Sequence, residues 1–299
     1  MTTSPAPQAC DLLIEAGWVV PVEPAGVVLA DHAVAVSDGR IVAVLPRDEA
    51  RARFSAGEVV SRPDSALIPG LVNSHCHNPM TLLRGVADDL PLMVWLQEHI
   101  WPVEGQVIGP EFVADGIELA VAEMLRGGTT ACAENYFFPD VQASTYSRLG
   151  FRALVGLPVI DFPTAWACTQ DEYFDKGLEV HDNWRRDPLV SLCFVPHAPY
   201  TVNDAAFERI RMLADQLDLV VHCHIHETAQ ENAEIEEFVL EPIIIKGEKI
   251  ERSVDDTLSS VSVATDEEMQ LHADESLHDV MMRTPGVFTT EGNETFSIR

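Results

Sequence analysis

The chain has 299 residues with 48 acidic and 19 basic side chains, which gives a formal net charge of −29. This length fits one large domain or two ordinary ones, and a hydrophobic fraction of 46% is ordinary for a globular protein. The acidity excludes nucleic acid and anionic membrane surfaces as expected partners, because both are bound through clustered Lys and Arg. The longest apolar runs fall short of the length that predicts a membrane-spanning helix.

The N-terminus and the cysteines together predict a cytoplasmic protein. Residues 1–13 contain neither a basic region nor a long apolar one, so a secretory signal is not expected. The six cysteines are widely spaced and form no CxxC pair. This spacing argues against a disulfide framework and favours a reducing compartment.

Composition changes near residue 230. Residues 231–299 carry 17 acidic and five basic side chains and contain no Trp or Tyr. We therefore predict three parts. They are a small β-sandwich portion over residues 1–66, five βα units of a barrel over residues 67–230, and a divergent acidic segment over residues 231–299.

The first part is predicted as short strands, with a hairpin turn at Asp38-Gly39. From residue 66 onward, strands alternate with helices, which is typical of a parallel sheet in a (βα)8 barrel or a doubly wound fold. A doubly wound nucleotide-binding fold would carry GxGxxG after its first strand, and this motif is absent. The predicted elements in chain order are strand 66–72, helix 111–126, strand 129–134, helix 141–149, strand 151–160, helix 178–186, strand 189–195, helix 204–216 and strand 219–222.

Histidines gather where the predicted strands end. His75 and His77 follow the first of these strands, and residues i and i+2 of an extended chain point the same way. Both imidazoles can therefore reach one metal ion at about 2.0–2.1 Å, the usual zinc–nitrogen distance. In a barrel, the carboxyl ends of the strands form the catalytic face. Six of the chain's 11 histidines lie at three such ends: His75, His77, His197, His222, His224 and His226.

Several segments resemble the amidohydrolase superfamily. The run Leu-Ile-Pro-Gly-Leu-Val-Asn-Ser-His-Cys-His over residues 67–77 resembles the first-strand motif of that superfamily. Within it, the chain is similar to the chlorohydrolase/deaminase branch and, in that branch, to the 5′-methylthioadenosine/S-adenosylhomocysteine deaminases. The resemblance extends from about residue 11 to 230, and its further motifs lie at residues 79–90, 95–104, 195–201 and 224–228.

The resemblance implies an α/β fold of the (βα)8 TIM-barrel type with a small β-sandwich, one bound Zn²⁺ ion and hydrolytic deamination. It assigns roles to six residues: His75, His77 and His224 as metal ligands, Glu227 as proton shuttle, and Glu104 and His197 as contacts to the nucleoside. Zinc lowers the pKa of a bound water toward about 7, and a carboxylate beside it can then move the water proton to a ring nitrogen. Among the three neighbouring histidines, the family spacing HxxE selects His224 over His222 and His226.

The expected partner is therefore a small-molecule purine nucleoside. Residues 153–170 contain no Lys or Arg, which favours 5′-methylthioadenosine or adenosine over S-adenosylhomocysteine, with its charged amino-acid group. Two alternatives remain open: another amidohydrolase reaction on guanine-type or triazine-type rings, and an inactive truncated or chimeric homologue. A homo-oligomer is also left open.

The family pattern stops after residue 230. The family would next show a sixth-strand His and an eighth-strand Thr-Asp-Gly, in which the Asp is a ligand and a base. Neither motif is found, and the length left after the fifth strand is short for the remaining units. We therefore expect an incomplete barrel, with Asp266, His272 and His278 as weak candidates for the missing groups.

Overall fold

The computed structural model of the chain describes most of its first 232 residues and two short strands near its end. The chain divides into two compact units, Met1–Phe238 and Val239–Arg299. The division into three parts at residues 66 and 230 is a prediction from the sequence, and these two units do not test it. The described residues are 6–229, 231–232, 287–289 and 296–298.

The second unit is described only at one strand pair. Strands β11 (Val287–Thr289) and β12 (Phe296–Ile298) pair antiparallel in that unit. The three late candidates Asp266, His272 and His278 lie outside the described residues.

The N-terminal sheet is built around its first strand. β1 pairs in parallel with β5 along one edge and antiparallel with β2 and β3 along the other, and β4 pairs with β3. The predicted hairpin is confirmed: Asp38 and Gly39 both have positive φ, 51° and 71°, as a type I′ turn requires. The strands are β1 (Gln8–Val19), β2 (Leu29–Ala30), β3 (His32–Ser37), β4 (Arg40–Pro46) and β5 (Phe54–Leu67).

This region differs from the predicted β-sandwich. Its described residues form a single sheet, and a short helix, α1 (Arg47–Arg53), contributes Ala50 to the small apolar cluster beside Leu13 and Phe54. The helix escaped prediction because six of its seven residues are Arg, Asp, Glu or exposed Ala, which leaves one buried side chain and no apolar periodicity. One face of this sheet therefore packs against a helix rather than against a second sheet.

Five parallel strands follow in strict sequence order. Each pairs with the strand before it, in the order β10-β9-β8-β7-β6, and the sheet curls as it does in TIM-barrel proteins. In a doubly wound sheet the strand order reverses partway through, although the strands stay parallel. The unbroken order of this sheet therefore favours the barrel architecture. The strands are β6 (Leu71–Cys76), β7 (Thr129–Glu134), β8 (Arg152–Val159), β9 (Val190–Pro196) and β10 (Val220–Val221).

The strand that precedes His77 begins later than the predicted residue 66 and is largely exposed. Residues 66 and 67 end β5, and β6 begins at Leu71, whose side chain is 53% exposed beside a 64% exposed Val72. The reason is that β6 lies at the edge of the described sheet and pairs only with β7.

Helices connect the parallel strands and enclose the main core. Buried side chains from strands and helices meet there, among them Val155, Ile117 and Phe174. Gly128, with φ 87°, ends the helix Pro110–Gly127 in the left-handed conformation that glycine adopts readily. In the described ranges, no helix combines the length and apolar character needed to cross a bilayer. The helices are α2 (Leu92–Val94), α3 (Trp101–Val107), α4 (Pro110–Gly127), α5 (Pro139–Leu149), α6 (Gln170–Trp184) and α7 (Asp204–Leu217), with a 3-10 turn at Asn78–Leu83 and a π-helical turn at Trp95–Ile100.

Candidate functional site

Three histidines from the two edges of the parallel sheet meet at its carboxyl end. His75 lies in β6, His77 follows it, and His224 follows β10 at the opposite end of the strand order. Their imidazoles nevertheless lie together, since the Nε2 atoms of His75 and His224 are 3.2 Å apart. A flat five-stranded sheet would hold its edge strands much farther apart, so the curl of the sheet creates this cluster.

The three Nε2 atoms have the spacing of metal ligands. His75 to His77 is 3.2 Å, and His77 to His224 is 3.3 Å. A tetrahedral zinc ion bound at 2.0–2.1 Å would hold its ligand nitrogens about 3.3–3.4 Å apart. In the described part of the chain, these histidines form the one group of three or more His, Cys, Asp or Glu that could hold a metal.

The opposite nitrogens of two of these rings determine their tautomers. Nδ1 of His77 donates to the Asn135 carbonyl oxygen, and Nδ1 of His224 donates at 2.7 Å to the carbonyl oxygen of His197. In the neutral ring, a proton on Nδ1 leaves a lone pair on Nε2. Two such lone pairs would face each other and repel, whereas a cation between them would be attracted to both. The donor set therefore fits a metal ion.

The surroundings favour neutral imidazoles. Burial, together with neighbouring His77 and His224, lowers the pKa of His75 to about 4. Burial is also the largest reason why the pKa of His77 lies at about 4. Both rings are therefore uncharged at pH 7, which is the state that binds a metal.

The cluster opens into an apolar pocket of about 250 Å³. Trp101 and Phe162 pack against each other in its wall, with ring centroids 5.8 Å apart. Among the described residues that line it, none is Lys or Arg. An apolar cavity with a few polar groups at one end is typical of a small-molecule site. Five of the six predicted site residues line this pocket, all except His75: His77, Glu104, His197, His224 and Glu227.

Glu104 lies in the wall on α3 and is 9% exposed. The Tyr136 hydroxyl, two residues beyond β7, donates a 2.5 Å hydrogen bond to its Oε1 atom. Burial raises the pKa of Glu104, and the hydrogen bond from Tyr136 partly opposes this shift. Sequence reasoning missed Tyr136, although its position just after a predicted strand placed it at the catalytic face.

Glu227 is an exposed residue that lines the pocket, and it accepts a 2.6 Å hydrogen bond from the Tyr200 hydroxyl. The backbone of Glu227 is held by a capping arrangement. The buried Glu231 carboxylate accepts from the N–H of Glu227 at 2.8 Å, while the Glu231 N–H donates to Thr228 Oγ1 at 3.0 Å. Thr228 and Glu231 have the T-x-x-E spacing of a capping box, although the Glu231 carboxylate accepts from the N–H groups of His226 and Glu227, which precede the cap residue.

His197 follows β9 and lies within the pocket wall. Its Nδ1 atom is 2.8 Å from Thr201 Oγ1, and its ring centroid is 5.1 Å from that of His224. Burial, with a smaller contribution from His224, lowers the pKa of His197 to about 4, so the ring is neutral at pH 7.

The two histidines that flank His224 have different surroundings. Nε2 of His222 is 2.9 Å from Nδ1 of His75, on the side of that ring away from the cluster. Nδ1 of His226 is instead 2.7 Å from Asn232 Oδ1, and His226 has a positive φ of 59°. From the sequence alone, His222 and His226 could each face the opening at the strand ends. In the structure, His222 contacts His75, whereas His226, with its positive φ, contacts Asn232.

Comparison with known proteins is decisive for the family. The model of the amidohydrolase family matches residues 66–246, which is more than half of the chain. The chain belongs to the amidohydrolase family. This confirms the resemblance predicted from the sequence. A shorter match, to an imidazolonepropionase-like composite domain of bacteria, covers residues 33–54.

Individual relatives are similar to about three-quarters of the chain. A 5-methylthioadenosine/S-adenosylhomocysteine deaminase from Teredinibacter turnerae is 47% identical over 234 residues, which are 78% of this chain and 53% of that protein. An adenosine deaminase from Xanthomonas campestris, solved with bound zinc, is 72% identical with a TM-score of 0.75, over 77% of this chain and 52% of that one.

A more distant solved structure shows the fold alone. The guanine deaminase from C. acetobutylicum, solved with bound guanine, has a TM-score of 0.64 at 17% identity, over 76% of this chain and 55% of that one.

The chain spans about half the length of the curated relatives it matches.

Proposed function

We propose that this amidohydrolase binds one zinc ion and hydrolytically deaminates an adenosine-type nucleoside with release of ammonia. The observation that carries the proposal is the triangle of Nε2 atoms of His75, His77 and His224, 3.2–3.3 Å apart, at the end of an apolar pocket. Deaminase relatives that match three-quarters of the chain support the same reaction.

In this proposal, His75, His77 and His224 hold the zinc ion. The bound metal would supply Lewis-acid activation of the attacking water. Glu227 accepts the water proton and delivers it to the purine ring nitrogen, first as base and then as acid. Tyr200 orients the Glu227 carboxylate through their 2.6 Å hydrogen bond. Water is consumed, the exocyclic amine leaves as ammonia, and the purine carbon gains an oxygen.

The remaining pocket residues would bind the nucleoside. Glu104 is a buried acceptor suited to ribose hydroxyls, and His197 presents a neutral imidazole beside the metal cluster. The described lining offers no cation for an amino-acid carboxylate. We therefore propose 5′-methylthioadenosine or adenosine as better substrates than S-adenosylhomocysteine.

We also propose that the barrel of this chain is incomplete. Residues 67–230 would provide five βα units, with the N-terminal portion over residues 1–66 and a divergent acidic segment over residues 231–299. The five described parallel strands and the half-length match to relatives support this division.

The half-length match also favours a second candidate, a zinc-binding homologue without turnover. The family pattern contains a sixth-strand His and an eighth-strand Asp that act on the attacking water, and neither motif follows residue 230 in the sequence. Loss of such a group would lower the rate by orders of magnitude while three histidine ligands remain.

One preparation of the full chain, grown with zinc, tests both candidates. Zinc per chain is measured by elemental analysis, and ammonia release is followed with adenosine, 5′-methylthioadenosine, S-adenosylhomocysteine and guanine. About one zinc with turnover of the first two supports the deaminase. Zinc without turnover supports the inactive homologue, and turnover of guanine alone supports the guanine-type reaction.

A matched pair of variants tests the ligand assignment. His224→Ala is expected to lose the zinc, whereas His226→Ala, two residues along and bonded to Asn232, is expected to retain it. A wild-type chain that folds without binding zinc would overturn the metal site.

A further inference from the structure

Each of the three candidate ligands uses its Nδ1 atom for a second contact, but one contact differs in kind. Nδ1 of His77 and of His224 face backbone carbonyl oxygens. Nδ1 of His75 faces a side chain, with His222 Nε2 at 2.9 Å. The His75 contact is therefore the one that a substitution can remove.

The two kinds of partner impose different restrictions on the ring. A carbonyl oxygen only accepts, so it requires a proton on the Nδ1 atom that faces it. An imidazole nitrogen can donate or accept, so the His75–His222 pair has two arrangements. If His222 donates, His75 carries its own proton on Nε2, pointing at the cluster, and cannot bind a metal. If His75 donates, its Nε2 lone pair faces the cluster.

We propose that His222 is a positioning residue that accepts the Nδ1 proton of His75 and so turns the Nε2 lone pair of His75 toward the metal. The inference rests on the proposed metal site, but it does not require deaminase turnover. Both rings stay neutral: the His75 proton moves from Nε2 to Nδ1, and the His222 proton moves from Nε2 to its own Nδ1. No net proton is released by this change of tautomer.

The geometry singles out His222 among the neighbours of His224. Its ring centroid is 4.8 Å from that of His75 in an edge-on arrangement, and this edge-on approach aims its nitrogen at Nδ1. His226 has the same sequence distance from His224, but its ring contacts Asn232. His226 is therefore a matched control with the same residue type and the opposite prediction.

His75 also needs this support most. Its side chain is more exposed than those of His77 and His224, which are half-buried. A partner that fixes the orientation of this ring would therefore change the affinity of the whole site.

The test measures zinc affinity of the full chain by competition with a chromophoric chelator. His222→Phe keeps a planar ring and removes the acceptor, and zinc affinity is expected to fall about 10–100-fold, as for other outer partners of metal-bound histidines. His222→Gln, whose amide oxygen can accept the same proton, is expected to recover most of the loss. His226→Phe is expected to bind as the wild type does.

The outcomes separate this inference from the proposed function. Equal affinity in His222→Phe and wild type, or equal losses in His222→Phe and His226→Phe, overturns the role of His222 alone. Zinc binding without ammonia release overturns the deaminase proposal and leaves the role of His222 standing. Absence of zinc binding in the wild type overturns both.

A measurement on the wild type covers the case in which His222→Phe does not fold. Nitrogen-15 NMR of the zinc-loaded chain reports which ring nitrogen of each histidine carries a proton. His75 is expected to be protonated on Nδ1 with a coupling to His222 Nε2 across the hydrogen bond. A proton on His222 Nε2 that points at His75 contradicts the inference.

Discussion

The Tyr136 hydroxyl donates a 2.5 Å hydrogen bond to the Glu104 carboxylate, and both residues are buried in the wall of the pocket. Burial raises the pKa of Glu104, and this hydrogen bond lowers it. Tyr136 therefore controls how easily a pocket carboxylate ionises, although 32 residues separate the two in sequence.

Tyr136→Phe removes the donor and leaves a buried carboxylate with one fewer partner. The free energy of unfolding is expected to fall by about 1–3 kcal/mol at pH 8 and by less at pH 5, because the lower pH protonates a larger fraction of Glu104 and weakens its need for a donor. Urea denaturation at the two pH values measures this. Tyr173→Phe is the control, because that hydroxyl donates to the uncharged Phe162 carbonyl and Thr164 hydroxyl. An equal loss at both pH values in Tyr136→Phe would contradict the assignment.

Local signals predicted most elements of the parallel sheet, but α6 begins at Gln170 rather than at residue 178, and the first strand begins at Leu71 rather than at residue 66. β7 and α7 begin where expected, since β7 follows a Gly-Gly stop and α7 begins after the N-cap Asn203, whose side chain accepts from Ala206. The helix α1 and the π-helical turn at Trp95–Ile100 were not predicted, because neither has an apolar periodicity of its own. Exposure of β6 followed from its place at a sheet edge, which a strand's own sequence does not specify.

The candidate site was predictable where residues are close in sequence. The i, i+2 spacing of His75 and His77 predicts two rings on one side, and they do lie together. The sequence pattern placed His222 at a strand end but predicted no partner for it, and it did not predict the hydrogen bond between Tyr136 and Glu104. Both contacts join distant segments and depend on how the sheet curls and how α3 lies, which local patterns do not encode.

Gly116 on α4 approaches the turn that follows His75 and His77. A Cβ atom at Gly116 would lie 2.6 Å from the Cα and carbonyl oxygen of Pro79. Because backbone cannot yield as a flexible side chain can, Gly116→Ala is expected to cost about 1–3 kcal/mol of unfolding free energy. It should also weaken zinc binding by displacing His77, two residues before Pro79. Thermal denaturation and chelator competition measure the two effects.

The control for this substitution lies on the same helix. Gly127 has no atom within 4 Å of its would-be Cβ, so Gly127→Ala is expected to leave zinc affinity unchanged and to be neutral or stabilising by up to about 1 kcal/mol. Equal behaviour of the two alanine variants would rule out the close contact between α4 and the turn.

Glu227→Gln separates metal binding from proton transfer. The zinc content is expected to stay near that of the wild type, since Glu227 is not among the three clustered histidines. Ammonia release from adenosine is expected to fall about 10²–10⁴-fold, because the amide cannot accept the water proton. Glu208→Gln, on the exposed side of α7, is the control for loss of one carboxylate. Full turnover in Glu227→Gln would remove this residue from the proposed reaction.

Glu134 at the end of β7 gives the chain a pH-dependent stability. Its side chain is fully buried, and burial raises its pKa to about 8 against hydrogen bonds from the Tyr146 hydroxyl and the Asn78 N–H. The unfolded chain releases this proton near the ordinary value of 4.5, whereas the folded chain keeps it. The folded state therefore binds more protons between these values, so its stability falls as pH rises from about 4.5 to 8.

Glu134→Gln removes this titration while keeping the shape of the protonated acid. The difference in unfolding free energy between wild type and Glu134→Gln is expected to change by a few kcal/mol between pH 5 and 8, in the direction that favours the variant at pH 8. Urea denaturation across this range measures the difference, in which the contributions of unaffected groups cancel. A difference that stays constant with pH would mean that Glu134 has the same pKa in the folded and unfolded chains. Glu134 would then be ionised at pH 7 within its hydrogen bonds to Tyr146 and Asn78, which contradicts the prediction.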